Sequence, residues 1–390
     1  MQNVALTFNT GSSSIKIGVF AIDGNKAVQL GKGSLSFGDN ANLHYSGEGI
    51  EGRLDLGTVE EVDDRLIAKL SDYVLPTSSN LVLTGHRVVH GGSQFRGPVL
   101  ATAESLAALE ALVPLAPLHQ PGALRVIRAV AKAHPEVPQT ISFDTAFHAT
   151  QKPEAVRLAI PRSLHEAGIR RYGFHGLSYK FIARQLVTVD PDIANGRIIC
   201  AHLGSGASLC AMSGGVSRDT SMGFSALDGI PMATRPGALD AGVVVHFLRE
   251  HHPSPDQLED FLYHQCGLLG VSEISGNTRE LLESKASAAK EALDLFYFRI
   301  AGEIGRLAIA IGGLDALVFT AGIGENQPAV RSSVAGYLAF LGLKLDEHAN
   351  DKSACLISAP ESSIKVFVIQ TNEEKIIADE GLEVISKPNT

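Results

Sequence analysis

Residues 4–20 read VALTFNTGSSSIKIGVF, two apolar runs on either side of a short run of Gly and Ser. This pattern is typical of two β-strands joined by a tight turn. Residues 198–212 have the same design and read IICAHLGSGASLCAM. Two hairpins built alike indicate two related domains, although Gly and Ser at a turn are also what any hairpin needs.

Strands and helices alternate along the rest of the chain. The periodicity of apolar residues predicts helices near 58–72, 102–132, 177–188, 239–250, 256–264, 286–311 and 373–386. It also predicts strands near 139–143, 316–320 and 364–370. The mixture predicts an α/β protein, and the proline-bounded stretch 153–161 predicts a domain boundary.

Composition excludes several classes of protein. The 390 residues predict two domains, because single cores stop growing beyond roughly 250–300 residues. A net charge of −9 argues against a general nucleic-acid binder. No apolar segment is long enough to span a membrane, and the first residues do not resemble a secretion signal. Four widely spaced cysteines fit a reducing compartment, so we expect a cytoplasmic protein.

Three segments carry backbone geometry that suits phosphate. The Gly-Ser turns at 10–14 and 204–206 expose backbone N–H groups and hydroxyls, and Lys16 adds a cation beside the first. Residues 320–326 follow a buried strand and begin a helix, another place where anions bind. Each segment alone also suits a purely structural turn, but three together indicate a nucleotide. The P-loop signature is absent from the sequence.

Four charged or ionisable residues stand where catalytic groups are common. Arg87 lies in an apolar, glycine-bounded segment and needs an anionic partner, either a ligand or a structural salt bridge. Asp144 follows the strand at 139–143, and strand ends carry catalytic groups in open α/β sheets. His175 lies between glycines and Arg235 in a tight turn.

Seven motifs, taken in order, resemble the acetate/propionate/butyrate kinase family. The motifs are NTGSSSIK at 9–16, GHRVVHGG at 85–92, FDTAFH at 143–148, YGFHG at 172–176, HLG at 202–204, AGIGEN at 321–326 and TNEE at 371–374. They extend from residue 9 to residue 374, so the resemblance covers nearly the whole chain.

The resemblance implies the fold of the actin-like and hexokinase-like ATPases, with two ribonuclease-H-like domains and a cleft between them. The expected domains are 1–150 plus 374–390, and 151–373 for nucleotide binding and dimerisation. The last helix would return to complete the first domain. Family members are homodimers, and the two similar hairpins would then reflect a duplication.

The resemblance also implies a reaction, the reversible transfer of the ATP γ-phosphoryl group to acetate, which gives acetyl phosphate and ADP. ATP is the expected co-substrate, with Mg²⁺ or, in its place, Mn²⁺. A propionate or butyrate kinase is the alternative, and a non-catalytic nucleotide-dependent switch on the same fold is a further one. A carboxylate acceptor is ionised at neutral pH and needs no general base. We therefore expect Asp144 to orient the reacting group or the metal shell.

The matched motifs imply a role for each site residue. The expected catalytic residues are Asp144, His175, Arg235 and Arg87. Substrate would contact Arg87, Val89, Leu118, His119, Phe174 and Arg235. The nucleotide would contact Ser12, Ser14, Lys16, His202, Gly204, Ser205, Gly206, Ser275, Gly276, Asn277, Arg279, Gly322, Ile323, Gly324 and Asn326. The metal would contact Asn9 and Glu373.

Several positions depart from the family pattern. Ser205 stands where Asn is usual and reaches less far towards a phosphate. Asn277 replaces an Asp and makes a charged contact neutral, which affects nucleotide preference. Ala238 replaces a carboxylate near Arg235. Ala226 replaces a proline and leaves room for a longer acyl chain, although one methylene in such a pocket is worth only about 1–3 kcal/mol.

Overall fold

The computed structural model describes residues 1–11, 14–47, 50–251 and 254–387, so the predicted nucleotide contact Ser12 lies outside the described residues. The chain divides into two compact units. Unit 1 comprises Met1–Phe147 and Asn372–Thr390, and unit 2 comprises His148–Thr371.

An eight-stranded sheet forms the core of unit 1. Its strands are β1 (Gln2–Thr10), β2 (Ser14–Asp23), β3 (Lys26–Ser36), β4 (Gly38–Gly47), β5 (Ile50–Val59), β6 (Ser79–Val88), β7 (Val99–Leu100) and β8 (Gln139–Phe143). They lie in the order β5-β4-β3-β2-β1-β6-β8-β7. β1 pairs antiparallel with β2 and parallel with β6, which pairs parallel with β8. The carboxyl ends of β1, β6 and β8 therefore lie at the same edge of the sheet.

Three helices of unit 1 precede the end of β8, namely α1 (Asp64–Val74), α2 (Ala103–Glu110) and α3 (Gln120–Ala133). The predicted helix at 58–72 starts later, because β5 extends to Val59 and Asp63 caps α1. The predicted helix at 102–132 is two helices. The sequence between them contains Pro114 and Pro117, which cannot donate helical hydrogen bonds.

Unit 2 is built on a five-stranded sheet. Its strands are β9 (Arg197–Leu203), β10 (Ala207–Ser213), β11 (Val216–Thr220), β12 (Ala316–Thr320) and β13 (Lys365–Val368), in the order β11-β10-β9-β12-β13. β9 pairs antiparallel with β10 and parallel with β12. Every residue of β12 is buried, as expected for a central parallel strand.

The described residues of unit 2 form twelve α-helices. They are α4 (Pro153–Val156), α5 (Arg162–Glu166), α6 (Gly176–Val189), α7 (Pro191–Ala194), α8 (Ala241–Glu250), α9 (Pro255–His264), α10 (Gly267–Ser272), α11 (Thr278–Glu283), α12 (Ser287–Ile311), α13 (Ala321–Asn326), α14 (Pro328–Tyr337) and α15 (Glu347–Asp351). None of the helices in the described part of the chain has both the length and the apolar character that crossing a bilayer requires.

The last helix, α16 (Glu373–Ile385), packs on the unit 1 sheet. Ala378 and Leu382 join a buried cluster with Ala5, Phe20 and Leu83. The contact is close, since a methyl group on Gly85 would lie 2.7 Å from the Ile377 side chain. A glycine at this point lets the helix approach the sheet.

The two sheets share one topology. In each, three consecutive antiparallel strands are followed by two parallel ones, so that β3-β2-β1-β6-β8 corresponds to β11-β10-β9-β12-β13. The two hairpins with Gly-Ser turns occupy equivalent places in the two sheets. The predicted α/β fold with two related ribonuclease-H-like sheets is confirmed.

Candidate active site

Arg87 and Asp144 form a tight pair in unit 1. Arg87 is the penultimate residue of β6, and Asp144 directly follows the neighbouring parallel strand β8. Arg87 Nε donates to Asp144 Oδ1 over 3.0 Å, and Nη2 donates to Oδ2 over 2.6 Å. Asp144 is completely buried. Such a two-point pair fixes both side chains in orientation.

Arg87 also holds the end of β1. Its Nη1 donates to Asn9 Oδ1 and to the Thr10 carbonyl, each over 3.2 Å. Burial disfavours the charged guanidinium, but Asp144 and the carboxylates of Glu373 and Glu374 outweigh burial and raise the pKa of Arg87. Four of the five guanidinium N–H groups thus have partners within the protein.

Two glutamates at the start of α16 meet the amide of Asn9. Asn9 Nδ2 donates to Glu373 Oε2 over 2.8 Å and to Glu374 Oε1 over 2.9 Å. Asn372, rather than either glutamate, caps α16, because its Oδ1 accepts from Lys375 N. Both carboxylates therefore remain beside Asn9, on the same side of the sheet as Asp144 and Arg87.

This donor set suits Mg²⁺. Mg²⁺ prefers oxygen ligands and is commonly held by one or two carboxylates together with waters and substrate phosphates. Glu373 is buried, which is unfavourable for a carboxylate unless cations compensate it. Within the described ranges, no group of three or more His, Cys, Asp or Glu side chains could form a metal cage of protein ligands alone.

The other predicted residues of unit 1 lie on β2, just beyond β6 and just before α3. The β1–β2 turn is closed by Gly11 N donating to the Ser14 carbonyl over 2.8 Å, and Lys16 is exposed opposite Asn9. Val89 is buried just beyond β6. Leu118 is 45% exposed, and His119 is the partly buried residue that precedes α3.

In unit 2, two histidines and an arginine face the β9–β10 turn, residues 204–206. We call these residues the Gly204 turn. A methyl group placed on Gly206 would lie 3.5 Å from His175 Nε2 and 3.8 Å from Arg235 Nη1. One placed on Gly204 would lie 3.9 Å from His202 Nε2. The rings of His175 and His202 are stacked, with centroids 4.2 Å apart. The structure thus brings together three predicted residues, His175, His202 and Arg235, and the predicted turn.

Arg235 is held only by neutral groups in the contacts found within the described residues. Nη1 donates to the Ala226 carbonyl over 3.3 Å, and the guanidinium lies 5.4 Å from the centre of the Tyr263 ring. Burial lowers the pKa of Arg235, and Tyr263 partly offsets this effect. Arginine stays charged in proteins, so Arg235 differs from Arg87 in offering a positive charge that pairs with no carboxylate among the residues described.

The first predicted adenosine segment, 275–279, is tied to the Gly204 turn. A methyl group on Gly276 would lie 2.8 Å from the Ala233 carbonyl, and Ala233 N donates to the Ser205 carbonyl over 3.2 Å. Asn277 caps α11, because its Oδ1 accepts from Arg279 N over 3.0 Å. An Asp would cap the helix equally well, so this departure from the family pattern keeps the local structure.

The second predicted adenosine segment, 322–326, forms most of the short helix α13. Glu325 Oε1 accepts from Ala321 N over 2.8 Å and from Thr371 N over 3.0 Å. A carboxylate of the segment itself therefore occupies the first N–H of α13, which the sequence had suggested as an anion site. Asn326 Nδ2 donates back to the Gly322 carbonyl, while Ile323 lies half-buried and Gly324 buried.

Several residues that support the site were not singled out from the sequence. Arg331 is completely buried and donates to the Gly324 and Glu325 carbonyls, which fixes the end of α13. Ser178 and Ser208 bond the two histidines. The signal for Ser178 was its place three residues after His175 on a predicted helix, but an isolated buried Arg331 leaves no pattern in a sequence.

The fold defines the class of this protein, an α/β protein of two units with related, ribonuclease-H-like sheets. Solved structures of similar fold are a propionate kinase from Francisella tularensis, with a TM-score of 0.90 and 34% identity, and Porphyromonas gingivalis acetate kinase, with 0.88 and 32%. Each comparison covers 98% of this chain and 100% of the other.

The sequence then identifies the particular family. Residues 4–379 match the acetokinase family. An acetate kinase from Nitrobacter hamburgensis is 46% identical over 389 residues, covering 97% of this chain and 96% of the relative. The chain belongs to the acetokinase family.

Proposed function

We propose that this chain transfers the γ-phosphoryl group of ATP to acetate and gives acetyl phosphate and ADP, in a reversible reaction. The observation that carries the proposal is the Gly204 turn, faced by His175 Nε2, His202 Nε2 and the Arg235 guanidinium. Open backbone and nearby N–H donors suit phosphate oxygens, and such positioning dominates phosphoryl transfer. The acetate kinase named above, similar over nearly the full length, supports the acceptor.

The two arginines have different roles in this proposal. Arg235 has neutral partners, so its charge is available to the acceptor carboxylate and to the transferring phosphoryl group. Arg87 is committed to Asp144 and Asn9, and offers at most one further N–H to a substrate. Its main contribution is to hold Asp144 and the end of β1 in place.

Asp144 acts as an orienting carboxylate. Its two oxygens accept from Arg87, which stabilises the ionised form, and the acceptor carboxylate has no proton to remove. His175 and His202 would donate hydrogen bonds to the phosphate oxygens. Gly204, Ser205 and Gly206 would line the phosphates.

Glu373, with Glu374 and Asn9 beside it, would hold Mg²⁺ either directly or through water. The bound metal ion would neutralise phosphate charge. Mn²⁺ accepts the same oxygen ligands. The adenosine would contact residues 275–279 and 322–326, with Ser14 and Lys16 near the phosphates from the first hairpin.

The acyl chain would contact Val89, Leu118 and Phe174, beside His119. The position of Ala226 favours propionate as a second acceptor. Its carbonyl accepts a hydrogen bond from Arg235, and its small side chain leaves space beside that arginine for a longer acyl chain. A solved relative is a propionate kinase.

We also propose a homodimer formed through unit 2. Helix α8 has no buried residue, although it carries Val243, Val244, Val245, Phe247 and Leu248. An apolar helix face of this kind in a folded protein is typical of an interface. We place the protein in the cytoplasm, since all four cysteines are free.

The test of the reaction is release of ADP from ATP·Mg²⁺ with and without acetate. The proposal predicts acetate-dependent ADP release that Asp144→Ala abolishes. ADP release that does not depend on any carboxylate would instead indicate a nucleotide-dependent switch and would overturn the proposal.

A further inference from the structure

Two buried serine hydroxyls lie behind the histidines of the Gly204 turn. Ser208 Oγ is 2.8 Å from His175 Nδ1, and Ser178 Oγ is 2.8 Å from His202 Nδ1. Both serines are completely buried. Each histidine uses Nδ1 for a serine and turns Nε2 towards the Gly204 turn.

A second hydroxyl stands behind each serine. Tyr179 Oη lies 2.5 Å from Ser208 Oγ, and Thr371 Oγ1 lies 2.9 Å from Ser178 Oγ. A hydroxyl has one proton and two lone pairs. When the outer hydroxyl donates to the serine, the proton of the serine is left for Nδ1. Tyr179 favours this order, because a phenol is a stronger donor than an aliphatic alcohol.

We propose that Ser208 and Ser178 are positioning residues that fix His175 and His202 as neutral rings with the proton on Nε2. A neutral imidazole whose Nδ1 accepts a hydrogen bond must carry its proton on Nε2. That Nε2–H can donate to a phosphate oxygen, whereas a bare Nε2 cannot. The functional part of this inference rests on the proposed kinase reaction, because phosphate oxygens are acceptors.

Helix α6 and the β9–β10 hairpin carry both serines and both histidines or directly follow them. His175 precedes α6, and Ser178 and Tyr179 lie in its first turn. Ser208 and His202 are partners in the β9–β10 register. The stacked histidine rings, 4.2 Å apart and 15° from parallel, also favour neutral rings, since two imidazolium ions at that distance would repel each other.

The test is ¹⁵N NMR of histidine-labelled full-length protein, which distinguishes protonated from bare ring nitrogens. We expect a protonated Nε2 and a bare Nδ1 on both histidines. Ser208→Ala should disturb this pattern at His175, and Ser178→Ala should disturb it at His202. Each change should lower kcat/KM for ATP about tenfold, the effect of one lost hydrogen bond.

Two further variants separate positioning from mere packing. Ser178→Thr keeps the hydroxyl and should keep the His202 tautomer and most of the activity. Ser71→Ala is the matched control, because Ser71 Oγ bonds His134 Nε2 over 2.9 Å elsewhere in the protein. It should leave activity and both tautomers unchanged.

A protonated Nδ1 on His175 and His202 in the unaltered protein would overturn the inference. So would serine-to-alanine variants that leave the tautomers unchanged. The spectra need no substrate, so their result stands apart from the proposed reaction. A protein with the expected tautomers that forms no acyl phosphate would contradict the kinase proposal alone.

Discussion

The guanidinium of Arg87 and the carboxylate of Asp144 are joined by two hydrogen bonds of 3.0 and 2.6 Å at the ends of two neighbouring parallel strands. Arg235, by contrast, contacts a carbonyl and an aromatic ring. Arg87 is fixed within unit 1 by a carboxylate partner, whereas the described contacts of Arg235 in unit 2 are with neutral groups. This difference leads to separable predictions.

Arg235→Ala should lower kcat/KM for the acceptor by roughly 10²–10³-fold, the usual effect of removing a group that stabilises transition-state charge. The steady-state rate with acetate measures it. Arg53→Ala is the control, because Arg53 pairs with Asp55 on the exposed strand β5. Wild-type turnover in the Arg235 variant would show that Arg235 does not act on the acceptor or the phosphoryl group.

Asp144→Asn should reduce kcat by a factor that is nearly constant between pH 6 and 8, where an orienting carboxylate does not titrate. The pH profile of kcat checks this. Asp315→Asn is a matched control, since Asp315 makes a similar two-point pair with Arg197. A loss that grows or vanishes across this range would show that Asp144 transfers protons.

Glu373→Gln should raise the Mg²⁺ concentration needed for half-maximal activity and change the KM for acetate little, because a neutral amide is a weaker ligand for Mg²⁺ than a carboxylate. Titration of activity with Mg²⁺ at saturating ATP measures the effect. The exposed Glu60 supplies the control variant Glu60→Gln. Unchanged Mg²⁺ dependence in Glu373→Gln would place the metal elsewhere.

Gly206→Ala should raise the KM for ATP, because the added methyl group would lie 3.5 Å from His175 Nε2, where phosphate is proposed to bind. That distance is ordinary contact, so we expect the protein to fold. Gly302→Ala on α12 is the control, since a methyl group there meets nothing within 4 Å. Equal KM values for ATP in the two variants would contradict the proposal that phosphate binds at the Gly204 turn.

Three buried histidines predict how stability depends on pH. Burial lowers the pKa of His86, His90 and His148 from 6.5 to about 4. Between these values the unfolded chain binds protons that the folded chain does not. The contribution of these histidines to the free energy of unfolding is therefore complete above pH 6.5. Between pH 6.5 and about 4 it falls on acidification by about 1.4 kcal/mol per pH unit for each histidine.

Urea unfolding at pH 7.5, 6.5 and 5.5 measures that slope. His148→Gln should flatten it, while His44→Gln, at an exposed position, should leave it unchanged. A free energy of unfolding that does not decrease below pH 6.5 would show that the buried histidines are protonated in the folded state.

Local signals predicted much of the fold. The Gly-Ser turns fixed the positions of β1, β2, β9 and β10, and the apolar run at 316–320 fixed β12. The strands β3 to β5 were not predicted, because exposed polar residues and glycines interrupt their apolar alternation. Their pairing is set by neighbouring strands rather than by their own sequence.

The sequence indicated the individual residues of the candidate site but not which of them contact each other. The sequence indicated that Arg87 needs an anionic partner, and it placed Asp144 at a strand end. Only the parallel register of β6 and β8 shows that each is the partner of the other. Ser208 lies 33 residues from His175, and Ser178 lies 24 residues from His202, so no local pattern connects each serine to the histidine that it bonds.

The most direct test of the central claim is steady-state kcat/KM with ATP·Mg²⁺ for acetate, propionate and butyrate, with the acyl phosphate trapped as its hydroxamate. The proposed function predicts hydroxamate formation with acetate as the preferred acceptor, and its loss in Arg235→Ala. No hydroxamate from any of the three acids would contradict it.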